Sequence, residues 1–263
     1  MDKPRPADGK TLLQLCKEDP ARVNVPFWHQ YYTDAQTGDR GTLPFRVQQI
    51  YQQMVRRAAA GDRVAFVCAA GVLAHYVGDA CQPLHGSFKS DGIPSSDPHA
   101  PNDGAGVHAA FETSTIDAQM RNGSGGGGPG PRLPERLAAR LGTLPAPAKV
   151  QGGPAAARAT VALMQATFDT LSPDEIIQAF KQDPTPAAMW AKLGDRTVTV
   201  IARGIQYLAM LWASAWEEGQ GSANVSDTST IPHAALRALY ETNQPATEFL
   251  PSRTIANIRE VLA

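Results

Sequence analysis

Cysteine is scarce in this chain and odd in number: Cys16, Cys68 and Cys81 are all there is. Three thiols cannot all pair within one molecule. One disulfide stays open as an arrangement, and none of the spacings is that of a metal-binding cysteine pair. Cys68 lies in an apolar helical stretch, where a buried free thiol is expected. A surplus of one charge is missing as well. With 24 Lys and Arg against 25 Asp and Glu, the formal net charge is -1. That excludes a nucleic-acid binder working through a broad basic surface, although not one whose positive charge comes from bound metal. No apolar run is long enough to span a bilayer. Met1-Asp2-Lys3-Pro4 opens a stretch without the apolar core of a secretory signal. As written the chain reads as cytoplasmic, and a start lying upstream would make it secreted or periplasmic. A Gly-x-Ser-x-Gly elbow and a Cys/His nucleophile pair are also lacking. Strand signals are weak, since the alternating TVTV at 197–200 runs directly into a longer helical pattern.

What is present is alanine in long runs, divided by glycine and proline, which favours an all-α protein of many helices joined by long loops. Residues 1–40 read as irregular apart from a short helical piece near Thr11–Cys16, and they carry the aromatic cluster FWHQYY at 27–32. A helix is expected from Pro44 with Thr42 as its cap, ended by Gly61. The next runs from the cap Asp62 to about Ala80. It is apolar or small nearly all round, the mark of a helix buried on most sides. A polar loop follows to about Gly106, and a helix begins near Val107. Further helices are expected near 133–142 and 154–170, and from Ser172 with its capping box. A long one covers 186–217, with a break considered at Gly194, and two short ones lie near 232–242 and 252–262. The run NGSGGGGPGP at 122–131 reads as a flexible segment. It divides the chain into a metal-binding helical part (1–121), a Gly/Pro-rich loop or linker (122–132) and a helical remainder (133–263) of the same domain.

Five side chains stand out. His75 and Asp79 are one helical turn apart on one face. Pro83 ends that helix and sets the turn that returns His85 towards the same place. His108 and Glu112 repeat the i, i+4 arrangement on a second helix. An unpaired carboxylate in a buried helix costs several kcal/mol, so Asp79 requires a partner. Two such pairs flanking a third histidine point to a shared metal, and imidazole with carboxylate suits zinc.

The run AHYVGDACQPLH at 74–85 closely resembles the signature of the superfamily that unites zinc-dependent single-strand nucleases with bacterial zinc phospholipases C. HAAFE at 108–112 is similar to that superfamily's second ligand pair, and TLPFR at 42–46 to the segment before the signature. The resemblance implies an all-helical, phospholipase C/nuclease-like phosphodiesterase. His75 would bind a first zinc, Asp79 would bridge the first and third and act catalytically, and His85, His108 and Glu112 would bind the second. A metal-held hydroxide would attack a phosphodiester of single-stranded nucleic acid (the endonuclease reading) or of phospholipid. No stable protein partner is implied. The superfamily's upstream ligands have no counterpart before Pro44, so the resemblance allows three zinc ions while the residues present supply one or two. A zinc-binding but catalytically silent or N-terminally truncated homologue is the alternative reading.

Overall fold

The computed structural model describes residues 1–36, 41–97, 99–120, 131–227 and 229–241. The expected helix at 252–262 and nearly all of the Gly-rich segment lie outside the described residues. Among those described there is no strand. An isolated antiparallel bridge joins Ile93 and Asp103, and the rest is helix and turn, so the protein is all-α.

The amino-terminal region is more ordered than its composition implies. Helix α1 (Leu12–Glu18) starts from a capping box made by Thr11 and Gln14. Helix α2 (Val25–Asp34) takes in the aromatic cluster that reads as irregular. Asn24 accepts the Phe27 N–H and Pro26 occupies the first turn, so the start is well specified. Trp28, Tyr31 and Tyr32 fall at i, i+3 and i+4 and are all buried. This is a helical stripe too short and too aromatic to stand out by periodicity.

Helices α3 (Leu43–Ala59) and α4 (Arg63–Ala80) begin and end within a residue or two of expectation. Asp62 caps α4 by accepting the Ala65 N–H at 3.1 Å. Helix α4 is not enclosed on all sides: Val67, Gly71, His75 and Gly78 are exposed and Asp79 is half-buried. Residues 107–120 form α5, in which Val107–Ala109 and Ile116–Met120 are α-helical and Ala110–Thr115 is a π-helical turn. Then come α6 (Leu133–Leu141), α7 (Gly153–Thr170), α8 (Pro173–Gln182) and α9 (Pro186–Glu218). Ser172 and Glu175 make the capping box of α8, as read from the sequence, and α9 passes unbroken through Gly194. Short helices α10 (Gly221–Asn224) and α11 (His233–Glu241) follow. By length and composition α4 and α9 could each cross a bilayer, and 44% of each such window is buried inside the protein. Polar residues keep each apolar run short: Arg63, His75 and Asp79 bound that of α4, and Lys192, Asp195, Arg196 and Arg203 divide that of α9.

The chain divides into two compact units, with α4, α7 and α9 shared between them. One comprises Met1–Lys3, Asp79–Ala146 and Leu163–Gln206; the other comprises Pro4–Gly78, Pro147–Ala162 and Tyr207–Ala263. In the first, Leu84, Val107, Phe111, Leu171, Ile176, Ile177 and Met189 belong to one buried cluster. In the second, Trp28 meets Phe45 edge to face at 4.9 Å. The Tyr51 hydroxyl donates to Glu218 at 2.7 Å, and the same carboxylate oxygen accepts the Gly152 N–H at 2.8 Å. The three cysteines are buried and form no disulfide. Burial pushes the Cys16 thiol up to about 11 and Cys81 to about 12, so both remain protonated at neutral pH.

Gly219 marks a close approach in the second unit. A Cβ there would lie 2.5 Å from the Val55 carbonyl oxygen and 2.6 Å from the Ala58 Cβ. One obstacle is backbone and the other a methyl group of α3, and neither can swing away. Gly219→Ala is expected to cost about 1–3 kcal/mol, the usual range for overpacking, read as a lower thermal midpoint in differential scanning calorimetry.

Candidate metal centre

The first unit's core places the site. Leu84, Val107 and Phe111 are almost fully buried, and each is followed directly in sequence by a polar residue: His85, His108 and Glu112. Anchoring each predecessor leaves its successor little choice of direction. His85 comes from the turn after α4, and the other two come from α5. Their ligand atoms converge. His85 Nε2 stands 3.0 Å from Glu112 Oε2, His108 Nε2 stands 2.7 Å from the same oxygen, and the two imidazole Nε2 atoms are 3.1 Å apart. His85, His108 and Glu112 thus form a group able to hold a metal ion. The side chains keep 25%, 33% and 41% of their surface exposed, so the group opens to solvent on one side.

The opposite ring nitrogens decide what the group can do. His85 Nδ1 lies 3.1 Å from Asp79 Oδ1, and His108 Nδ1 lies 3.0 Å from the Ser90 carbonyl oxygen. A carbonyl only accepts, so His108 carries its proton on Nδ1, and the Asp79 carboxylate draws the His85 proton to Nδ1 in the same way. Each neutral ring then presents a lone pair at Nε2, aimed at the other ring and at a carboxylate. Such a cluster of lone pairs needs a cation at its centre, either a proton or a metal ion. Histidine ligands oriented by a carboxylate or carbonyl on the far nitrogen are the usual outer arrangement of metal sites. Ligand atoms of a tetrahedral zinc stand roughly 3.4 Å apart for bonds of about 2.1 Å, so the residues need to spread by about 0.3–0.7 Å.

Without metal, the proton fills that role. The hydrogen bond to Asp79 raises the His85 pKa to about 9 against the opposing effect of burial, helped by Glu112. Burial works to raise the Glu112 carboxyl, but the hydrogen bonds from His85 and Gln82 outweigh it and hold the group below its usual range.

Several supporting residues have no signal in the sequence spacing. Asp91 Oδ1 accepts the N–H of Gly106 at 2.9 Å and of His108 at 3.2 Å. It caps α5 from a distance because Gly106, at φ +90°, has no side chain to do so. Ser90 and Asp91 therefore grip His108 by ring and backbone together. Gln82 donates to Glu112 Oε2 at 3.1 Å and its own oxygen accepts the Leu84 N–H. Asp2 accepts from the Ser87 hydroxyl at 2.6 Å and the Phe88 N–H at 2.9 Å. Lys89 pairs with Asp174 at 2.6 Å. These contacts hold the segment between the two histidines.

Of the five residues singled out by spacing, three share the ligand group. Asp79 touches it through His85. His75 is exposed on α4, in the part of that helix assigned to the other unit.

Comparison with known proteins redirects the chemistry. The chain is 36% identical over 294 aligned positions to a probable serine protease of Bradyrhizobium tropiciagri. The alignment takes in 96% of this chain and 35% of the relative, so the chain spans about a third of that protein's length. No family model and no solved structure matches the chain. The resemblance to zinc nucleases and zinc phospholipases C is corrected by this finding. It rested on short segments, whereas the relative aligned along nearly the whole chain carries a protease name. Phosphodiester hydrolysis is withdrawn in its nuclease, endonuclease and phospholipase forms.

Two outcomes follow from the geometry. In chelator-treated protein the folded state holds the His85 proton more tightly than the unfolded chain, whose histidine pKa is about 6.5. That contribution to stability is fully present below about pH 6.5 and is lost as pH rises through about 9. The thermal midpoint should fall across this window, and Asp79→Asn should flatten the fall, as measured by scanning fluorimetry. Asp91→Ala removes the cap of α5 and should cost about 1 kcal/mol in a urea melt.

Proposed function

We propose that the chain is the zinc-binding helical part of a larger peptide hydrolase. The observation that carries the metal is the convergence of His85 Nε2, His108 Nε2 and Glu112 Oε2 with both Nδ1 protons already committed. Two imidazoles and one carboxylate form a donor set that suits zinc, and three protein ligands with an open side are the pattern of a catalytic site, not of a closed structural one. Peptide hydrolysis is supported by the likeness to a probable serine protease, a protein of which this chain corresponds to about a third.

In this reading His85, His108 and Glu112 hold the ion, while Asp79 and the Ser90 carbonyl fix the two rings in the tautomer that binds. Gln82 steadies the Glu112 carboxylate. When bound, zinc supplies Lewis acidity to whatever completes its coordination. The Asp79–His85 pair has the look of the acid and base of a serine protease. Its Nε2, however, faces a carboxylate and a second imidazole, where a base would need a hydroxyl. A nucleophilic serine, if the larger protein uses one, is therefore expected elsewhere than at this imidazole.

Metal analysis of the purified chain should find about one zinc per molecule, and His108→Ala or Glu112→Gln should lower the affinity at least tenfold. Retention of zinc at wild-type affinity by both variants would sink the metal assignment. A fluorogenic casein assay tests the rest. Cleavage that stops with chelator and returns with zinc supports a zinc peptidase, and no cleavage by the zinc-loaded chain removes peptide hydrolysis from this part of the protein.

A further inference from the structure

Glu112 does not sit on a regular α-helix. Residues Ala110–Thr115 form a π-helical turn, in which backbone bonds run from residue i to i+5 and one extra residue is accommodated. Such a turn gives up α-helical hydrogen bonding and requires something to hold it. Here the Thr115 hydroxyl donates to the Ala110 carbonyl at 2.7 Å, across that i, i+5 span. Thr115 is 1% exposed. Its single hydroxyl hydrogen goes to Ala110, and Met189 Sδ stands 3.7 Å from the same oxygen. Phe111, in the same turn, is held in the core, so the widening is expressed on the outer side of the helix, where Glu112 lies.

A π turn rotates the residues within it relative to those before it. His108 precedes the turn and Glu112 lies inside it. The angle between their side chains is therefore set by the π register and not by the usual i, i+4 offset. In that register Glu112 Oε2 reaches His108 Nε2 at 2.7 Å and His85 Nε2 at 3.0 Å.

We infer that Thr115 is a positioning residue of the metal centre, whose hydroxyl holds α5 in the π register that aims Glu112 at the two imidazoles. It touches neither ion nor substrate and acts through the backbone. The inference rests on the zinc-binding reading above, and it explains why a polar side chain is buried at this point of the core.

Thr115→Val keeps the shape and removes the hydroxyl, while Thr115→Ser keeps the hydroxyl and removes a methyl group. Zinc affinity, measured by competition with a chromophoric chelator, should fall about tenfold to a hundredfold in the valine variant and stay close to wild type in the serine variant. A purely structural role for Thr115 would give the reverse order, because serine leaves the larger packing defect. Unchanged affinity in Thr115→Val, or an equal loss in both variants, overturns the inference. Crystal structures of the metal-free proteins separate this from failure of the zinc reading. If the wild-type chain takes up no zinc, the zinc reading fails, but the register of 110–115 still decides the role of Thr115. Return of the valine variant to regular α-helix supports the inference, and persistence of the π turn overturns it.

Discussion

Three lone pairs pointed at one place are an unfavourable arrangement, and much of the first unit's polar structure serves to maintain it. Two imidazoles and a carboxylate would normally turn away from one another or exchange protons with water. Here the Asp79 carboxylate and the Ser90 carbonyl accept hydrogen bonds from the Nδ1–H groups, which leaves the Nε2 atoms facing inward. Asp91 fixes the start of α5, Gln82 holds the carboxylate, and the Thr115 hydroxyl sets the helical register. Each contact is worth little by itself, on the order of 1 kcal/mol net. Together they hold the three atoms 2.7–3.1 Å apart, which a cation converts from repulsion into binding.

The apolar core contributes differently. It does not line the site, and it acts as a template by burying the residue just before each ligand. Leu84, Val107 and Phe111 are held by α8 and α9 through Ile176, Ile177 and Met189. The helices of the chain's carboxyl-terminal half that reach this unit thus determine where residues far ahead of them in sequence point.

Helical periodicity and capping made most of the fold legible. The capping box at Ser172, the cap Asp62 and the stop at Gly61 fall where sequence logic puts them. Helix α2 did not show, because three buried aromatic residues in ten resemble a cluster as much as a stripe. The grouping of His85, His108 and Glu112 was legible from spacing because a shared ion would require particular donor types on neighbouring turns. Its supports were not, since Ser90 acts through its carbonyl and Thr115 through a hydrogen bond to the backbone, and neither depends on a recognisable residue pattern. The short histidine–aspartate signature also carried less than it promised. Twelve residues can encode a way of gathering ligands without encoding the bond that is cut. The exposed position of His75 on α4 shows the same limit, because a helix with few charges need not be covered on every face.

The segment between His85 and His108 is the longest stretch without a regular helix in the first unit's described residues. Its ends meet at the two imidazoles, 23 positions apart in sequence. An ion shared by those rings would close this stretch into a ring, as a disulfide does. Cross-linking a loop of that length removes unfolded-chain entropy worth about 3 kcal/mol. The three cysteines are buried, form no disulfide and do not provide such a link. A cross-link made of imidazole and metal withstands reducing agents and yields to acid or chelators, so the durability of this loop would follow metal supply and pH instead of the redox state of its surroundings.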